Sequence, residues 1–395
     1  MQKHDVVIIG AGPGGSTLAA LLAKRGYDAA ILEQDAYPKF KIGESLLPYS
    51  TDILRESGVF ETIDSGKYVR KYGAEFVDYR EREAVYFEFV NGLDADHPFA
   101  FEVQRKDFDH DLLKHAVNCG AKLYQPEQVL AVHEGEHPIR VKTDQRELHA
   151  RYLVDATGRT AFLGNKLKVR KVNPDFNNVA VFSHFSGVKQ KQGKQAGDIT
   201  IGILPDHSWS WHIPFLNGHT SVGVVCNAKH YKECRTPREY IETRLDCHPI
   251  FNDMMANSEV LQEPGTAANY SHSCDTFVGK RWMLIGDAAT FLDPIFSSGV
   301  HISLTSAKLA APALIAALEN NADILSSAAG LAYEPALRKG IQRFRSLLNM
   351  FYTTEFVAGM KKAVHREQVW KAFTSAVGGD MWNDKNSLFN LGVLP

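Results

Sequence analysis

The chain is poor in the features that define disulfide, zinc, membrane and nucleic-acid-binding proteins. Its five cysteines (Cys119, Cys226, Cys234, Cys247, Cys274) are an odd number with no C-x-x-C pair. Such usage predicts free thiols in a reducing cytoplasm, not a disulfide or zinc framework. The 16 histidines are scattered without H-E-x-x-H or similar spacing, so no metal is expected. No window reaches 18 consecutive apolar residues, which predicts no membrane span. The short apolar run Val6 to Ile9 passes straight into glycines, unlike a signal-peptide core. Neither sign of charge dominates, and a formal net charge of -2 argues against nucleic acid or an anionic membrane as partner. Repeats and low-complexity tracts are missing too. What remains is an ordinary balance, 44% hydrophobic and 23% charged over 395 residues. That length suits two domains, or one large α/β domain with a cap.

Against this background the first forty residues are specific. Asp5-Val6-Val7-Ile8-Ile9 predicts a buried parallel strand. Gly10-Ala11-Gly12-Pro13-Gly14-Gly15 then fits G-x-G-x-x-G, with Gly10, Gly12 and Gly15 in register. Leu18, Leu21 and Leu22 recur at helical spacing up to Gly26, and a second strand over 29–32 ends at Glu33. In this fingerprint Gly10 makes the turn, Gly12 and the adjoining Ala11 let backbone approach a pyrophosphate, and Gly15 permits close helix–strand contact. The phosphates face a helix N-terminus, and Glu33 accepts hydrogen bonds from the adenosine ribose. The first forty residues therefore read as a dinucleotide site.

Two later segments indicate which dinucleotide. Trp282 to Ala289 is an apolar strand that ends in Gly286-Asp287 and opens a helix-like, alanine-rich stretch; Gln104-Arg105-Lys106-Asp107-Phe108-Asp109 contains Arg-x-x-Phe-Asp. Both resemble the flavoprotein monooxygenase superfamily. There the Gly-Asp, Asp287 here, binds ribityl or ribose hydroxyls of FAD, and the arginine, Arg105 here, lies beside the flavin. Non-covalent FAD is the implied cofactor. The bland reading of Arg105 is a solvated charge at a helix start. A second glycine-rich fingerprint is missing. In Val154-Asp155-Ala156-Thr157-Gly158-Arg159 the Asp and Gly are separated by two residues, where the hydroxylase branch has Asp-Gly. This departure implies that a separate flavin reductase supplies the reduced cofactor.

Three further segments resemble the flavin-dependent halogenases. Trp209-Ser210-Trp211-His212-Ile213-Pro214 matches W-x-W-x-I-P at each fixed position. Phe291 to Gly299 matches F-x-x-P-x-x-S-x-G, a segment associated with halide and flavin binding. Lys71-Tyr72-Gly73-Ala74-Glu75-Phe76 matches K-x-G-x-x-F, which carries the family's essential lysine. The Phe40 to Pro48 segment, with Gly43-Glu44-Ser45, adds support, although related reductases have a similar turn. The resemblance covers about residues 1 to 350, and its opening motifs are nearer the branch acting on phenols, pyrroles and carrier-bound substrates.

The resemblance implies an oxidoreductase in which reduced FAD and O2 convert chloride or bromide to hypohalous acid, which then halogenates an electron-rich aromatic. It implies a halide turn at Pro294, Ser297, Ser298 and Gly299, with Gly299 and Val300 also against the flavin and Ser45 on the cofactor. Lys71 would capture hypohalous acid, as a hydrogen-bonding ammonium or a haloamine-forming amine; burial lowers a lysine's pKa readily and an arginine's hardly at all. Trp209 and Trp211 point to one face if their segment is a strand, and would wall the flavin from the substrate. His212 faces the other way and reads as structural, and Lys67 as a surface cation. Rival readings are a two-component flavin monooxygenase, a geranylgeranyl-reductase-like enzyme and a non-catalytic flavoprotein.

The expected fold is α/β: a Rossmann-type FAD-binding core over 1–330, interwoven with a β-rich substrate part at about 73–103 and 178–275. A helical substrate cap follows over 331–395. In that cap Leu337, Ile341, Phe344, Leu348, Phe351 and Tyr352 recur at helical spacing, followed by Phe356, Met360, Trp370, Phe373 and Trp382. Between 336 and 371 lie Arg338, Lys339, Arg343, Arg345, Lys361, Lys362, Arg366 and Lys371, against Glu355 and Glu367. One reading is a dock for an acidic acyl-carrier protein bearing a tethered aromatic; the other is a solvated helix face. Substrate identity, regiochemistry and the choice of halide stay open at this level.

Overall fold

The computed structural model describes residues 2–36, 41–80, 84–172, 177–232, 234–268, 271–353 and 356–389. Phe40 and Glu355 lie outside them.

The strand expected at 5–9 runs Gln2–Ile9 and sits centrally in a seven-stranded sheet. Lys122–Tyr124, Ala29–Leu32, Gln2–Ile9, Glu147–Asp155 and Trp282–Leu284 pair in parallel. Ile139–Thr143 and Val129–His133 complete the sheet antiparallel. Consecutive residues Val6 to Ile9 are all buried, so both faces of this strand are covered, as its uninterrupted apolar run requires. Helix Pro13–Ala23 follows the glycine turn, and Ser298–Asn320 crosses it. Their close approach rests on small residues: a Cβ on Gly14 would lie 2.6 Å from Ser303 Oγ, and one on Gly286 2.5 Å from it. Ser298–Asn320 is long and apolar enough to cross a membrane by composition, with a mean hydropathy of 1.4. Here 67% of its most apolar 18-residue window is buried, and the helix packs between Pro13–Ala23 and Ala328–Thr353, so it serves as a core helix.

The second sheet draws on 73–88 and 178–268 and has eight strands. In order they are Glu259–Val260, Asn178–Ser186, Thr220–Asn227, Trp209–Pro214, Ile199–Ile203, Gly73–Asp78 and Ala84–Glu88, with Gly265–Ala268 also on Asn178–Ser186. All six residues of Trp209–Pro214 are buried. A pair of short strands, Val69–Lys71 and Ala100–Glu102, forms a separate ribbon beside Gly73–Asp78.

Helices Ala328–Thr353, Phe356–Ala363 and Glu367–Val377 close the molecule. Leu337, Ile341, Phe344, Leu348 and Phe351 are buried in a core continuous with the Gln2–Ile9 strand. Phe87 of the second sheet stacks on Trp370 at 4.6 Å, and Phe76 meets Phe296 and Phe356. The positive excess over 336–371 is partly neutralised, while Lys362 and Arg366 remain exposed. Arg338 pairs with Glu334, Lys339 and Arg343 with Asp384, and Lys371 with Glu367. Burial pushes the Arg345 guanidinium below its ordinary pKa. Sequence charge counting missed this because Glu334 and Asp384 lie outside the window counted.

Candidate active site

The nucleotide end follows from backbone geometry. Gly10 has φ +107°, open to glycine, and a Cβ there would lie 2.4 Å from Ala156 O. A Cβ on Gly15 would lie 2.0 Å from Gly10 O, whereas one on Gly12 would meet nothing within 4 Å. The outer glycines thus permit packing, and Gly12 borders open space. Pro13 starts the helix, which has no side-chain cap and no acidic residue in its first turn. Its unpaired N–H groups and positive dipole end therefore remain available to an anion. Glu33 accepts from Ala11 N–H and Asp35 N–H, both at 3.0 Å, which fixes its carboxylate beside that turn.

Farther along, Gly286-Asp287 forms a tight 3-10 turn followed by the short strand Thr290–Phe291, where the alanine-rich sequence suggested helix. The helix begins only at Ser298, because Pro294 and the left-handed Ser297 intervene. Burial raises the Asp287 carboxyl to about 6 against the pull of Arg105, Arg159 and Lys41. The nearest contact of a Cβ on Gly299 would be Asp287 Oδ1 at 4.0 Å, so this helix start also borders open space. Open glycines at 12 and 299, Glu33, and a half-buried carboxylate facing Gly299 fit an extended dinucleotide. FAD would be held by Gly10 to Gly15 at its pyrophosphate, by Glu33 at the ribose, and by Asp287, Gly299 and Val300 toward the flavin.

Arg105 is no solvated charge. It starts helix Arg105–Asn118, is buried, and binds both Asp109 oxygens at 2.8 and 3.1 Å. Its remaining nitrogen donates to Ile42 O at 3.0 Å and lies near Gly43 O. Arg105 therefore anchors the Gly43-Glu44-Ser45 turn. The other end of that turn holds Lys71, which is 1% exposed although its neighbours Lys67 and Arg70 are exposed and paired with Asp111 and Asp64. Lys71 Nζ donates to Ser45 Oγ at 2.7 Å and lies 5.4 Å above the Phe89 ring. Burial lowers the Lys71 pKa, partly opposed by Glu102 and Asp198. Ser45 donates in turn to Glu102 at 3.1 Å, and Glu44 pairs with His184 at 2.9 Å. The Ser45 hydroxyl is thus engaged with Lys71 and Glu102.

Trp209 and Trp211 lie on one face, ring centroids 5.7 Å apart. A Cβ on Gly223 would sit 2.3 Å from the Trp211 ring, so the glycine opposite makes room for the indole. His212 faces the other side against Phe251, and burial pulls its pKa down to about 3. Trp211 Nε1 donates to Ser221 at 3.0 Å, and Trp209 Nε1 to Tyr352 at 3.0 Å. Asn178 lies between Tyr352 and Asp293, donating to Asp293 at 2.9 Å and lying 3.4 Å from the Tyr352 hydroxyl. Asp293 also accepts from Ile295 N–H at 3.3 Å, and burial raises its carboxyl to about 6. The Pro294–Phe296 turn is therefore tied to Trp209 through three side chains. Beyond it Ser297 takes φ 53°, and Ser298–Asn320 starts with no side-chain cap and no acid in its first turn. Ser298 and Gly299 thus present N–H groups at a bare helix start.

The structure builds two networks from the residues singled out in the sequence. One joins Arg105, Ser45 and Lys71, and the other joins the indoles to the Pro294–Gly299 turn. Glu102, Asp293, Asn178 and Tyr352 were missed. Glu102, just ahead of Arg-x-x-Phe-Asp, Asp293, inside the Phe291–Gly299 motif, and Tyr352, in the aromatic stripe, carried signals that could have found them; Asn178 carried none.

Residues 3–328 match the family model described as an FAD binding domain. The chain is 35% identical to the 1H-pyrrole-2-carbonyl-peptidyl-carrier-protein chlorinase of Pseudomonas fluorescens, over 89% of this chain and 84% of the relative. It is 32% identical to the corresponding brominase of Pseudoalteromonas luteoviolacea, over 81% and 79%. The solved flavin-dependent brominase Bmp2 superposes with a TM-score of 0.89 at 27% identity, over 99% of this chain and 98% of that one. The chain belongs to the flavin-dependent halogenases, oxidoreductases that use FAD, O2 and halide to halogenate aromatic substrates.

Proposed function

We propose that this halogenase acts on an electron-rich aromatic ring of the pyrrole type, tethered to a carrier protein, with Lys71 as the group that receives hypohalous acid. The single observation that carries the role of Lys71 is its burial on one hydroxyl and one aromatic face. A lysine so placed is desolvated and available to a small neutral electrophile. The names of the two pyrrolyl-carrier relatives support the substrate class. Bound FAD, reduced by a separate flavin reductase, would supply the oxidation of halide by O2.

The chain's own groups then have distinct tasks. Ser298 and Gly299 N–H groups, with the bare dipole of their helix, hold halide without an oxidisable side chain. Asp293 keeps the turn before them in shape by accepting from Ile295 N–H. Trp209 and Trp211 present a continuous apolar wall with both indole N–H groups satisfied elsewhere, which suits exclusion rather than proton transfer. Arg105 anchors the turn that carries Ser45, and so orients Lys71.

Reconstitution with FAD, a flavin reductase, NADH, oxygen and bromide tests the proposal. Free phenols, indoles and pyrroles are compared with pyrrole-2-carbonyl loaded on a carrier protein, and products are read by mass. Bromine isotope patterns on the carrier-bound pyrrole alone are the expected result. Halogenation of free rings only would overturn the carrier assignment. Lys71→Ala should bind FAD normally and lose halogenation by at least about 100-fold, within the range that proton-handling groups contribute. Retained turnover in that variant would remove Lys71 from the site.

A further inference from the structure

Beside Lys71 sits an acid to which the halogenase reading gives no task. Val69–Lys71 and Ala100–Glu102 pair antiparallel with Lys71 opposite Ala100. Side chains two apart on a strand share a face, so Glu102 stands on the side of Lys71. Both residues are 1% exposed. The contacts form a chain: Lys71 Nζ donates to Ser45 Oγ at 2.7 Å, and Ser45 Oγ donates to Glu102 Oε1 at 3.1 Å. The second carboxyl oxygen, Glu102 Oε2, is buried with no hydrogen-bond partner among the described residues. An ionised carboxylate with an orphan oxygen is costly there, as is an ammonium held by one hydroxyl. Moving one proton along the bridge neutralises both.

We propose that Glu102 is a positioning residue that exchanges a proton with Lys71 through the Ser45 hydroxyl, and so sets whether Lys71 meets hypohalous acid as an ammonium or an amine. The proposal rests on Lys71 being the residue that meets hypohalous acid. In the forward direction Lys71 Nζ gives a proton to Ser45 Oγ, whose own proton passes to Glu102 Oε1. An amine and a carboxylic acid result, with no net change in charge. The amine can displace hydroxide from hypohalous acid: an N–halogen bond forms, the O–halogen bond breaks, and hydroxide leaves as water with one amine proton. The reverse transfer restores the ammonium as hydrogen-bond donor. Burial acts on both partners in the direction that permits exchange, lowering the Lys71 pKa and raising that of Glu102. The other charges facing the pair are Asp198, which supports the ammonium and opposes the carboxylate, and Glu44, which also opposes the carboxylate and is itself paired with His184.

Cyanate tests this without turnover, because its acid is a small electrophile that carbamoylates amines and not ammonium ions. The FAD-loaded protein is treated with cyanate across a pH series, and Lys71 labelling is read by peptide mass spectrometry. Glu102→Gln removes the carboxylate that favours the ammonium. The labelling midpoint should move to lower pH, and labelling at pH 7 should be about tenfold faster if the midpoint falls by about one on the pH scale. Glu102→Asp should return the midpoint toward wild type, which a merely structural role would not predict. Ser45→Ala keeps both charges and removes the bridge; it should also move the midpoint to lower pH, and it decides the matter if Glu102→Gln does not retain FAD. An unmoved midpoint in an FAD-binding variant overturns the proposal. That result differs from halogenation by Lys71→Ala, which would overturn the role of Lys71 itself.

Discussion

Between Gly10 and Glu33, the groups suited to hold the dinucleotide come from one strand, turn, helix and strand, and most are backbone. Around Lys71 and Ser297, the groups that shape the site come from residues 44, 45, 71, 102, 178, 209, 293 and 352, and nearly all are side chains. The nucleotide end is thus fixed by what glycine lacks, and the reaction end by hydrogen bonds between distant elements. Damage should spread differently in each. A misplaced atom at the first end blocks backbone, while a lost hydrogen bond at the second leaves a buried donor or acceptor orphaned.

The sharpest way to break that contrast is to add single methyl groups at the nucleotide end. In Gly15→Ala the new Cβ would lie 2.0 Å from Gly10 O, backbone that cannot swing aside. Overpacking of this kind costs about 3 kcal/mol, so Gly15→Ala should lose both FAD and thermal stability of the apoprotein. Gly12→Ala meets nothing within 4 Å and should lose FAD affinity alone. Calorimetry of the apoproteins beside flavin titrations reads the split, and equal apoprotein stability in the two variants would contradict it.

A comparable effect at the reaction end is exposed by acid. His301 bridges Ser50 Oγ at 2.9 Å and Gly379 O at 3.0 Å, and burial lowers its pKa to about 4. The unfolded chain takes up that proton near pH 6.5 and the folded one only near 4. Its contribution is complete above pH 6.5 and lost as pH falls through the interval. Raised carboxyls such as Asp293 act in the opposite sense, so the quantity to follow is a difference. The stability of wild type relative to His301→Gln should fall by about 3 kcal/mol between pH 7 and pH 4, measured by urea unfolding. A constant difference would mean that His301 titrates normally.

How much of each region could be read from residues alone follows from the same contrast. Gly10, Gly12, Gly15 and the strand at 29–32 were legible because strand, turn and helix are consecutive, and each glycine answers a local steric demand. The shared face of Trp209 and Trp211 was legible for a similar reason, the period of a strand. The Lys71 bridge was not. Ser45 and Glu102 lie 26 and 31 residues to either side of Lys71, and only the pairing of two short strands and one turn brings them together. Tyr352 looked like one more apolar position in a helical stripe; its hydroxyl acquires a task only where the helix meets Trp209. The partners of the charge excess over 336–371 were hidden for the same reason, since Asp384 arrives from another segment.

The smallest expected effect is also the most discriminating within the reaction end. Trp209 and Trp211 each donate one indole N–H, to Tyr352 and Ser221 respectively. Removing either acceptor, by Tyr352→Phe or Ser221→Ala, orphans a buried donor at a cost of about 1–2 kcal/mol. The two variants should therefore lose similar stability. Only Tyr352, however, continues through Asn178 to Asp293 and the Pro294–Phe296 turn. Tyr352→Phe should accordingly weaken the apparent affinity for bromide by a few-fold with FAD binding unchanged, while Ser221→Ala leaves bromide dependence as in wild type. If both variants shift the bromide dependence equally, the indole pair acts on the halide turn by bulk packing and the side-chain chain through Tyr352 transmits nothing of its own.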